Sequence, residues 1–569
     1  MSMKKSLLCT LLMLTMLSCK QNSYDVVIVG GTPGGIMTAI SAARMGKTTL
    51  LLERTSHIGG LPANGLGATD IATRGATTGL FLEFVNNIKQ KYADKYGEDS
   101  QQLKDCSDGY HFEPSMAQDV FDEMIAACGR RIKVRTMRQF DALAENVTKA
   151  GQQIVSIRVL NRKNDRIEEY FGKVFVDATY EGDLGAAAGV PFRTRRESRS
   201  EYNEPVGGRM YQFWRGPIEE CSTFEGDNTI QAYNYRLCLT NDKDNQIAFR
   251  KPETYNREEY LSLVDDVLYG YNTNPNSQFV TNAERNANKE AILSGGRTQI
   301  DGDPWGVDKL TNMVKLPNAK NDANNQHLAF ISTDLPEENW EWPTASWEWR
   351  DTFAKRLRDY TEGLFWFASH DEALPKSFRD AVSQWGYAAD EYADNDNFPR
   401  QVYVREGRRF EGMYFFTAND AVIDPSTGKA PLHKNSITAS HYNLDSHAHH
   451  KREPYRVHLD GFLTYDTPVY NVPYGVIVPK EVTNLLLPVP VSGTHIGFST
   501  LRMEPCWMAL GQAAGVAATL SIRNQTTVQD VDISTLQDEL LKQKVTLVYM
   551  PGHSPEDADF ITLQKEALK

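Results

Sequence analysis

The sequence has no Cys-x-x-Cys pair, no block of lysine and arginine, no internal repeat and no apolar run of transmembrane length. Each absence excludes something. Without Cys-x-x-Cys there is no dithiol redox centre, no c-type haem attachment and no paired-cysteine zinc site. Without a basic block, and with 61 Lys+Arg against 74 Asp+Glu, nucleic acid is not an expected partner. The net charge is −13. The sequence pI is about 5.5. The apolar run Leu7–Leu17 is too short to span a bilayer. What is present is a chain of 569 residues, 41% hydrophobic and 24% charged, able to bury a sizeable core. That length suggests two to four domains, or one large domain with insertions.

The first residues read as a leader. Lys4 and Lys5 precede the apolar run, and Ser18-Cys19 closes it before polar Lys20-Gln-Asn-Ser23. This resembles a bacterial lipoprotein signal over residues 1–19, with Cys19 carrying the lipid. An ordinary secretory signal is the alternative. The expectation is an exported, tethered protein, facing the periplasm, whose mature charge is −15 once Lys4 and Lys5 are gone. Seven cysteines are present. Cys9 and Cys19 belong to the leader, so Cys106, Cys128, Cys221, Cys238 and Cys506 remain. An odd count leaves one unpaired; pairing of Cys221 with Cys238 stays open.

Tyr24–Val29 reads as a buried parallel strand. Gly30-Gly-Thr-Pro-Gly-Gly35 follows, then a helix over 36–45, then a strand over 48–52 ending at Glu53. This order is one β-α-β unit with a dinucleotide fingerprint, Gly30-x-Thr32-x-x-Gly35. The glycine turn lets a helix N-terminus meet a pyrophosphate. Glu53, 23 positions after Gly30, stands where an acid binds ribose hydroxyls. Thr32 replaces the middle glycine. The alternative is a structural α/β turn. Pro33 and Gly34 complete the turn. Arg54 and the doublet Gly59-Gly60 come next, suited to folding back over a cofactor in the groove. Asp177-Ala-Thr179-Tyr-Glu-Gly-Asp183 supplies a second turn, and Gly511 and Gly515 place small residues on a late helix. Such distant pieces favour FAD over NAD.

Helices are expected near 76–95, 115–128, 501–521 and 533–543. Strands are expected at 132–136, 154–160, 166–171, 173–178 and 483–488. Residues 425–453 read as loop. Eight of the nine tryptophans lie between 200 and 400, where βα alternation is lost. The expected division is a discontinuous FAD-binding domain, 24–200 and 470–525, with an inserted cap over 200–470 and a helical tail over 526–569.

The chain is similar to bacterial FAD-dependent oxidoreductases of the group often mislabelled as xanthan lyases. The residues that carry the resemblance are Gly30–Gly35, Gly59-Gly60, Asp177–Leu184, Phe398–Glu406, Tyr442–His447, Thr494-His495 and Leu501–Pro505. They span nearly the whole mature chain. The resemblance implies noncovalent FAD and redox chemistry without an agreed substrate. It also implies a two-dinucleotide-binding, Rossmann-like α/β flavoprotein fold, here with an inserted α+β cap.

Catalytic candidates follow from what dehydrogenation of an alcohol requires. A base must take the hydroxyl proton as hydride leaves carbon, and histidine titrates near working pH. His495, just before the late helix, is the preferred acid/base. A hydrogen-bonded structural histidine is the alternative. His447 is a second candidate, and His449-His450 reads as a solvated loop pair. Arg502 is placed to offset negative charge on the flavin, and Arg405 to anchor an anionic substrate; structural ion pairs among Arg400, Arg405, Arg408 and Arg409 are the competing reading. No metal is expected, because His441 and His447 lie in a loop without helical i, i+4 geometry. Trp340-Glu-Trp342 and Trp347-Glu-Trp349 suit sugar stacking, against packing within the cap.

The expected function is hydride transfer between FAD and a small polar substrate, a carbohydrate or sugar derivative, with the electron acceptor open. The alternatives are a reductase acting on C=C of an unsaturated acid, and a glycan-binding lipoprotein with structural FAD. A polysaccharide lyase is less apt, because β-elimination gives the fingerprint no role.

Overall fold

The computed structural model describes residues 22–212, 216, 218–269, 287, 290, 294, 305–326, 331–453, 456 and 458–569. The expected leader over 1–19, with Cys9 and Cys19, lies outside them, as does Trp214. Among the described residues no helix is long and apolar enough to cross a membrane.

The β-branched run Ser23–Val29 is the centre of an eight-stranded sheet. It pairs in parallel with Thr49–Leu52 and with Arg166–Asp177. The neighbours continue outward to Ile132–Arg135 on one side and Gln153–Asn161 on the other. The inner strands carry apolar side chains on both faces because helices cover one face and a smaller apolar cluster the other. Leu485–Leu486 returns from far along the chain to pair in parallel with Arg166–Asp177. This is the α/β, Rossmann-like flavoprotein fold.

Several elements differ from the sequence reading. The strands expected at 166–171 and 173–178 are one strand, Arg166–Asp177. Gly172 does not break it; a Cβ there would meet Val27 Cγ2 at 2.9 Å, so the glycine lets the central strand pass. The helix expected over 501–521 is two helices, His495–Leu501 and Glu504–Asn524. Pro505 has no N–H to donate and starts the second one. Residues 425–453 are not all loop: Ser436–Ser440 and Leu444–Ser446 are strands. The tail holds Ile533–Lys542 and a further helix, Phe560–Ala567.

Away from the main sheet, Leu237–Thr240, Gln246–Ile247, Thr311–Lys315, Lys320–Asn325 and Gly386–Ala388 form a five-stranded antiparallel sheet. Beside it runs the long helix Trp347–His370, capped by the Ser346 side chain. Their apolar faces merge with the helical side of the main sheet in one continuous core. All five described cysteines are free thiols, so Cys221 and Cys238 are not joined.

Candidate active site

The first strand delivers the chain to Gly30, whose φ of +106° an L side chain rarely adopts. A Cβ there would lie 2.5 Å from the Ala178 carbonyl. Thr32 explains the missing middle glycine. It caps the helix Pro33–Arg44, its Oγ1 accepting from Gly35 N at 3.2 Å and donating to Ala178 O at 2.7 Å. One hydroxyl therefore fastens the fingerprint turn to the second turn, 146 residues later. Glu53 Oε2 accepts from Gly31 N at 2.9 Å and Oε1 from Thr55 N at 2.7 Å.

These groups open onto a groove of roughly 930 Å³. Of the residues singled out in the sequence, Gly30, Thr32, Glu53, Arg54, Gly60, Thr179, Asp183, Trp342, Trp347 and Arg400 line it. Arg54 stacks on the Trp347 ring at 4.0 Å and pairs with Asp351 at 2.6 Å. Sequence reasoning did not single out Asn64, Arg138 and Val402 on its walls. Trp342 and Trp347 were read as sugar contact or cap packing, and they lie on this groove instead. The groove combines a helix N-terminus, an acid at the end of the second strand and aromatic and cationic side chains. That set of donors suits a diphosphate, a ribose diol and a planar base.

Other expected cofactor residues act from behind the groove. Pro33, Gly34 and Gly35 are the buried first turn of the capped helix, and Gly59 is buried in the loop behind Gly60. Gly511 and Gly515 do not face the groove; this corrects their expected contact role. A Cβ on Gly511 would lie 2.1 Å from Gly34 O, and one on Gly515 2.5 Å from Thr38 O. They let the helix Glu504–Asn524 touch the fingerprint helix backbone to backbone. Thr38 Oγ1 donates to Gly511 O at 2.9 Å and Ser41 Oγ to Gln512 O at 3.0 Å. Asp183 stands at the groove's edge, held by Arg350 at 2.7 Å and Arg408 at 2.7 Å. Burial raises its pKa, but the two guanidiniums outweigh it and hold the carboxyl below the usual range.

Glu504 was not singled out as a site residue, yet its environment is distinctive. Tyr180 Oη donates to Glu504 Oε1 at 2.5 Å and accepts from Leu61 N at 3.1 Å. Glu504 Oε2 is buried without a partner. Burial pushes its pKa up to about 8, opposed by the Tyr180 hydrogen bond and assisted by Asp70. The folded chain thus keeps a proton that the unfolded chain releases above pH 4.5. Stability should fall as pH rises from 4.5 to about 8, by about 1.4 kcal/mol per unit at most. Glu504→Gln should remove that slope. Thermal midpoints of both proteins across this range check it: equal slopes would show that Glu504 is ionised in the fold.

A second polar group forms where the helix Glu504–Asn524 begins. Arg502 caps the preceding helix and is buried. It donates to Tyr403 Oη at 2.9 Å and to Asp445 Oδ2 at 2.8 Å. Asp445 Oδ2 lies 3.5 Å from His447 Nε2, and His447 Nδ1 lies 2.8 Å from Asp334 Oδ2. Arg405 pairs with the other Asp334 oxygen at 2.8 Å. Burial raises the Asp445 pKa, but His447 and Arg502 bring it down to about 2. Arg405 is not on a surface strand: it, Arg408 and Arg409 are all buried, and only Arg400 pairs outside, with Asp394. The structure brings His447, Arg405 and Arg502 into one chain of contacts.

It places His495 elsewhere. His495 Nδ1 is 2.7 Å from Glu406 Oε2, and its Nε2 meets Ser446 Oγ at 3.1 Å and His449 Nε2 at 3.3 Å. Both ring nitrogens are engaged and the side chain is buried, in the manner of the structural histidine set against the acid/base reading. The His449-His450 pair is not solvated. His449 is fully buried, and burial drives its pKa well below the ordinary value. His450 lies 2.7 Å from Asp460. Asp227, His450 and Asp460 come within the reach of one metal ion. The Arg196 guanidinium already fills that space, at 2.6 Å from Asp227 and 2.7 Å from Asp460. A fixed cation there opposes a metal ion.

Comparison with known proteins agrees with the groove. The digeranylgeranylglycerophospholipid reductase of Thermoplasma acidophilum is 27% identical over 172 residues, covering 30% of this chain and 42% of that protein. The dihydrolipoyl dehydrogenase of Trypanosoma brucei brucei is 49% identical over 43 residues, 8% of this chain and 9% of that one. The chain thus spans less than half the length of either relative. Among solved structures, the glycerol-3-phosphate dehydrogenase from Bacillus halodurans complexed with FAD aligns with a TM-score of 0.21 and 13% identity, over 35% of this chain and 45% of that one. The family described as FAD dependent oxidoreductase matches residues 25–540. The chain belongs to that family, and FAD is its cofactor.

Proposed function

We propose that this protein is an exported FAD-dependent oxidoreductase that moves a hydride between FAD and a small polar substrate, a carbohydrate or sugar derivative. The observation that carries the reading is His447, clamped between Asp334 and Asp445 and joined through Asp445 to Arg502 at the start of the helix Glu504–Asn524. Both His447 nitrogens face carboxylates, so it exchanges protons through Asp445, whose side chain is 16% exposed, whereas Glu406, the carboxylate on His495, is fully buried. His447 therefore replaces His495 as the proposed acid/base.

Gly30, Thr32, Glu53, Arg54, Gly60 and Thr179 would hold the cofactor, with Gly511 and Gly515 fixing the helix behind it. When bound, FAD supplies a two-electron acceptor that the side chains lack. The residues do the rest. Arg502 and the helix N-terminus bring positive potential to the site. Asp445, with its side chain 16% exposed, is the accessible end of the His447 chain. Tyr403, Tyr442 and Asp70 add hydroxyl and carboxylate groups near Arg502 and Asp445 that suit a polyol.

An unsaturated acid is less well matched. Arg236, Arg405 and Arg502 surround the Tyr403 ring, but each is already paired, with Asp322 and Asp70, with Asp334 and with Asp445 respectively. No arginine of the trio is left to a substrate carboxylate. The lipoprotein leader over 1–19, with tethering through Cys19, belongs to the same proposal and rests on Lys4, Lys5, Leu7–Leu17 and Ser18-Cys19. Outside the cytoplasm the acceptor would be oxygen, a quinone or a carrier protein.

The test is anaerobic. Neutral sugars, sugar acids and unsaturated carboxylic acids are added to the FAD-loaded protein, and the visible flavin band is followed. Bleaching by a neutral sugar or sugar derivative is expected. No reduction by any of these, together with reoxidation of the chemically reduced protein by an unsaturated acid, would replace the dehydrogenase reading by the reductase one.

A further inference from the structure

The carboxylates on either side of His447 do not face the same surroundings. Asp445 is the partner of Arg502 beside the helix Glu504–Asn524. Asp334 lies on the wall of a separate cavity of roughly 1040 Å³, lined also by Asn325, Gln326, Tyr360, Ala448 and Phe462. His447 sits behind that wall, with its ring edge-on to Phe462 at 5.8 Å. Arg405 secures Asp334 and Arg502 secures Asp445, so the contacts run in one line through five groups: Arg405, Asp334, His447, Asp445 and Arg502. Gln231 Oε1 accepts from the His447 backbone N–H, Ser446 Oγ donates to the His447 carbonyl, and the imidazole of His449 lies nearby.

We propose that Asp445, His447 and Asp334 form a proton relay connecting the redox site to water in the cap cavity. The inference rests on the proposed function, because hydride transfer from an alcohol leaves a proton to be disposed of. His447 starts with its proton on Nδ1, hydrogen-bonded to Asp334. A proton arriving from Asp445 forms an N–H bond at Nε2. The Nδ1–H bond then breaks toward Asp334, which passes the proton to cavity water. One proton enters and one leaves, and no electrons move along the path. When reoxidation of the flavin draws a proton back in, the same two transfers run in reverse, Asp334 to Nδ1 and Nε2 to Asp445, and restore the starting tautomer. The arginines are positioning residues: they keep each carboxylate ionised and in place between transfers.

The relay is tested without knowing the substrate. The FAD-loaded protein is reduced anaerobically by a light pulse in weak buffer, with EDTA as the sacrificial electron donor and a trace of deazaflavin as photosensitiser, and a pH-indicator dye reports proton exchange with solvent while absorbance reports the flavin. His447→Gln and Asp334→Asn should slow the dye signal at least about tenfold, with oxidised spectra unchanged. In His447→Ala, added imidazole, which the cavity can admit, should restore the rate. Unchanged dye kinetics in the variants overturn the relay. So does loss of FAD in all three variants, which would assign the cluster to the fold. If wild-type protein binds no FAD or shows no flavin reduction, it is the oxidoreductase reading itself that fails.

Discussion

Gly511→Val should weaken FAD binding, although Gly511 does not face the groove. The substitution places new atoms where Gly34 O lies 2.1 Å from even a Cβ, with the Gly34 carbonyl carbon at 2.8 Å. The obstacle is backbone, so no rotamer change relieves it. The fingerprint helix must move away from Glu504–Asn524, breaking the Thr38 and Ser41 hydrogen bonds to that helix. Overpacking of this kind costs about 1–3 kcal/mol. Spent on moving the helix whose N-terminus meets the diphosphate, it corresponds to a roughly 5- to 150-fold weaker FAD affinity. Fluorescence titration of the apoprotein with FAD measures it. Full affinity in the variant would mean that the two helices do not meet in this way. Gly46, where an added Cβ would meet no atom within 4 Å, provides a control, since Gly46→Asn should leave binding unchanged.

Asp183→Asn should be the most damaging single change to stability. Asp183 neutralises both Arg350 and Arg408, and all three are buried. Removing its charge leaves two guanidiniums in the interior with amide and carbonyl partners only. Breaking a buried pair in this way costs about 3–5 kcal/mol, far more than an exposed pair is worth. Arg350 rides on the long helix Trp347–His370, and Asp183 opens the short helix Asp183–Ala187 beside the main sheet. The loss should therefore loosen the long helix as well as lower the thermal midpoint. Limited proteolysis and a thermal scan of the variant test this together. A midpoint indistinguishable from wild type would show that the arginines find other partners.

The fold was legible where chemistry is local. A β-branched run, a glycine turn, a helix and a timed acid identify a β-α-β unit from about thirty residues. The sequence also points to the second turn at Asp177–Asp183, since a strand must precede it. It does not show that Thr32 is the clasp between these turns, because the bond reaches across 146 positions. The role of Gly511 and Gly515 was half legible: small residues on a late helix signal close approach, but to a neighbouring helix as readily as to a ligand. His495 and His447 have the same chemistry in the sequence. What separates them is which carboxylates the fold delivers, Glu406 to one, and Asp334 and Asp445 to the other. Asp334 comes from a stretch that no motif marks. Glu504 was visible only as part of Leu501–Pro505; its raised pKa comes from burial, and the Tyr180 hydrogen bond that opposes it reaches across 324 positions.

The most direct measurement is the visible spectrum of the purified protein, with the flavin released on denaturation identified and counted. The account requires one FAD for each chain, bound more weakly in Gly511→Val and as in wild type in Gly46→Asn. A colourless protein that takes up no added FAD would contradict it.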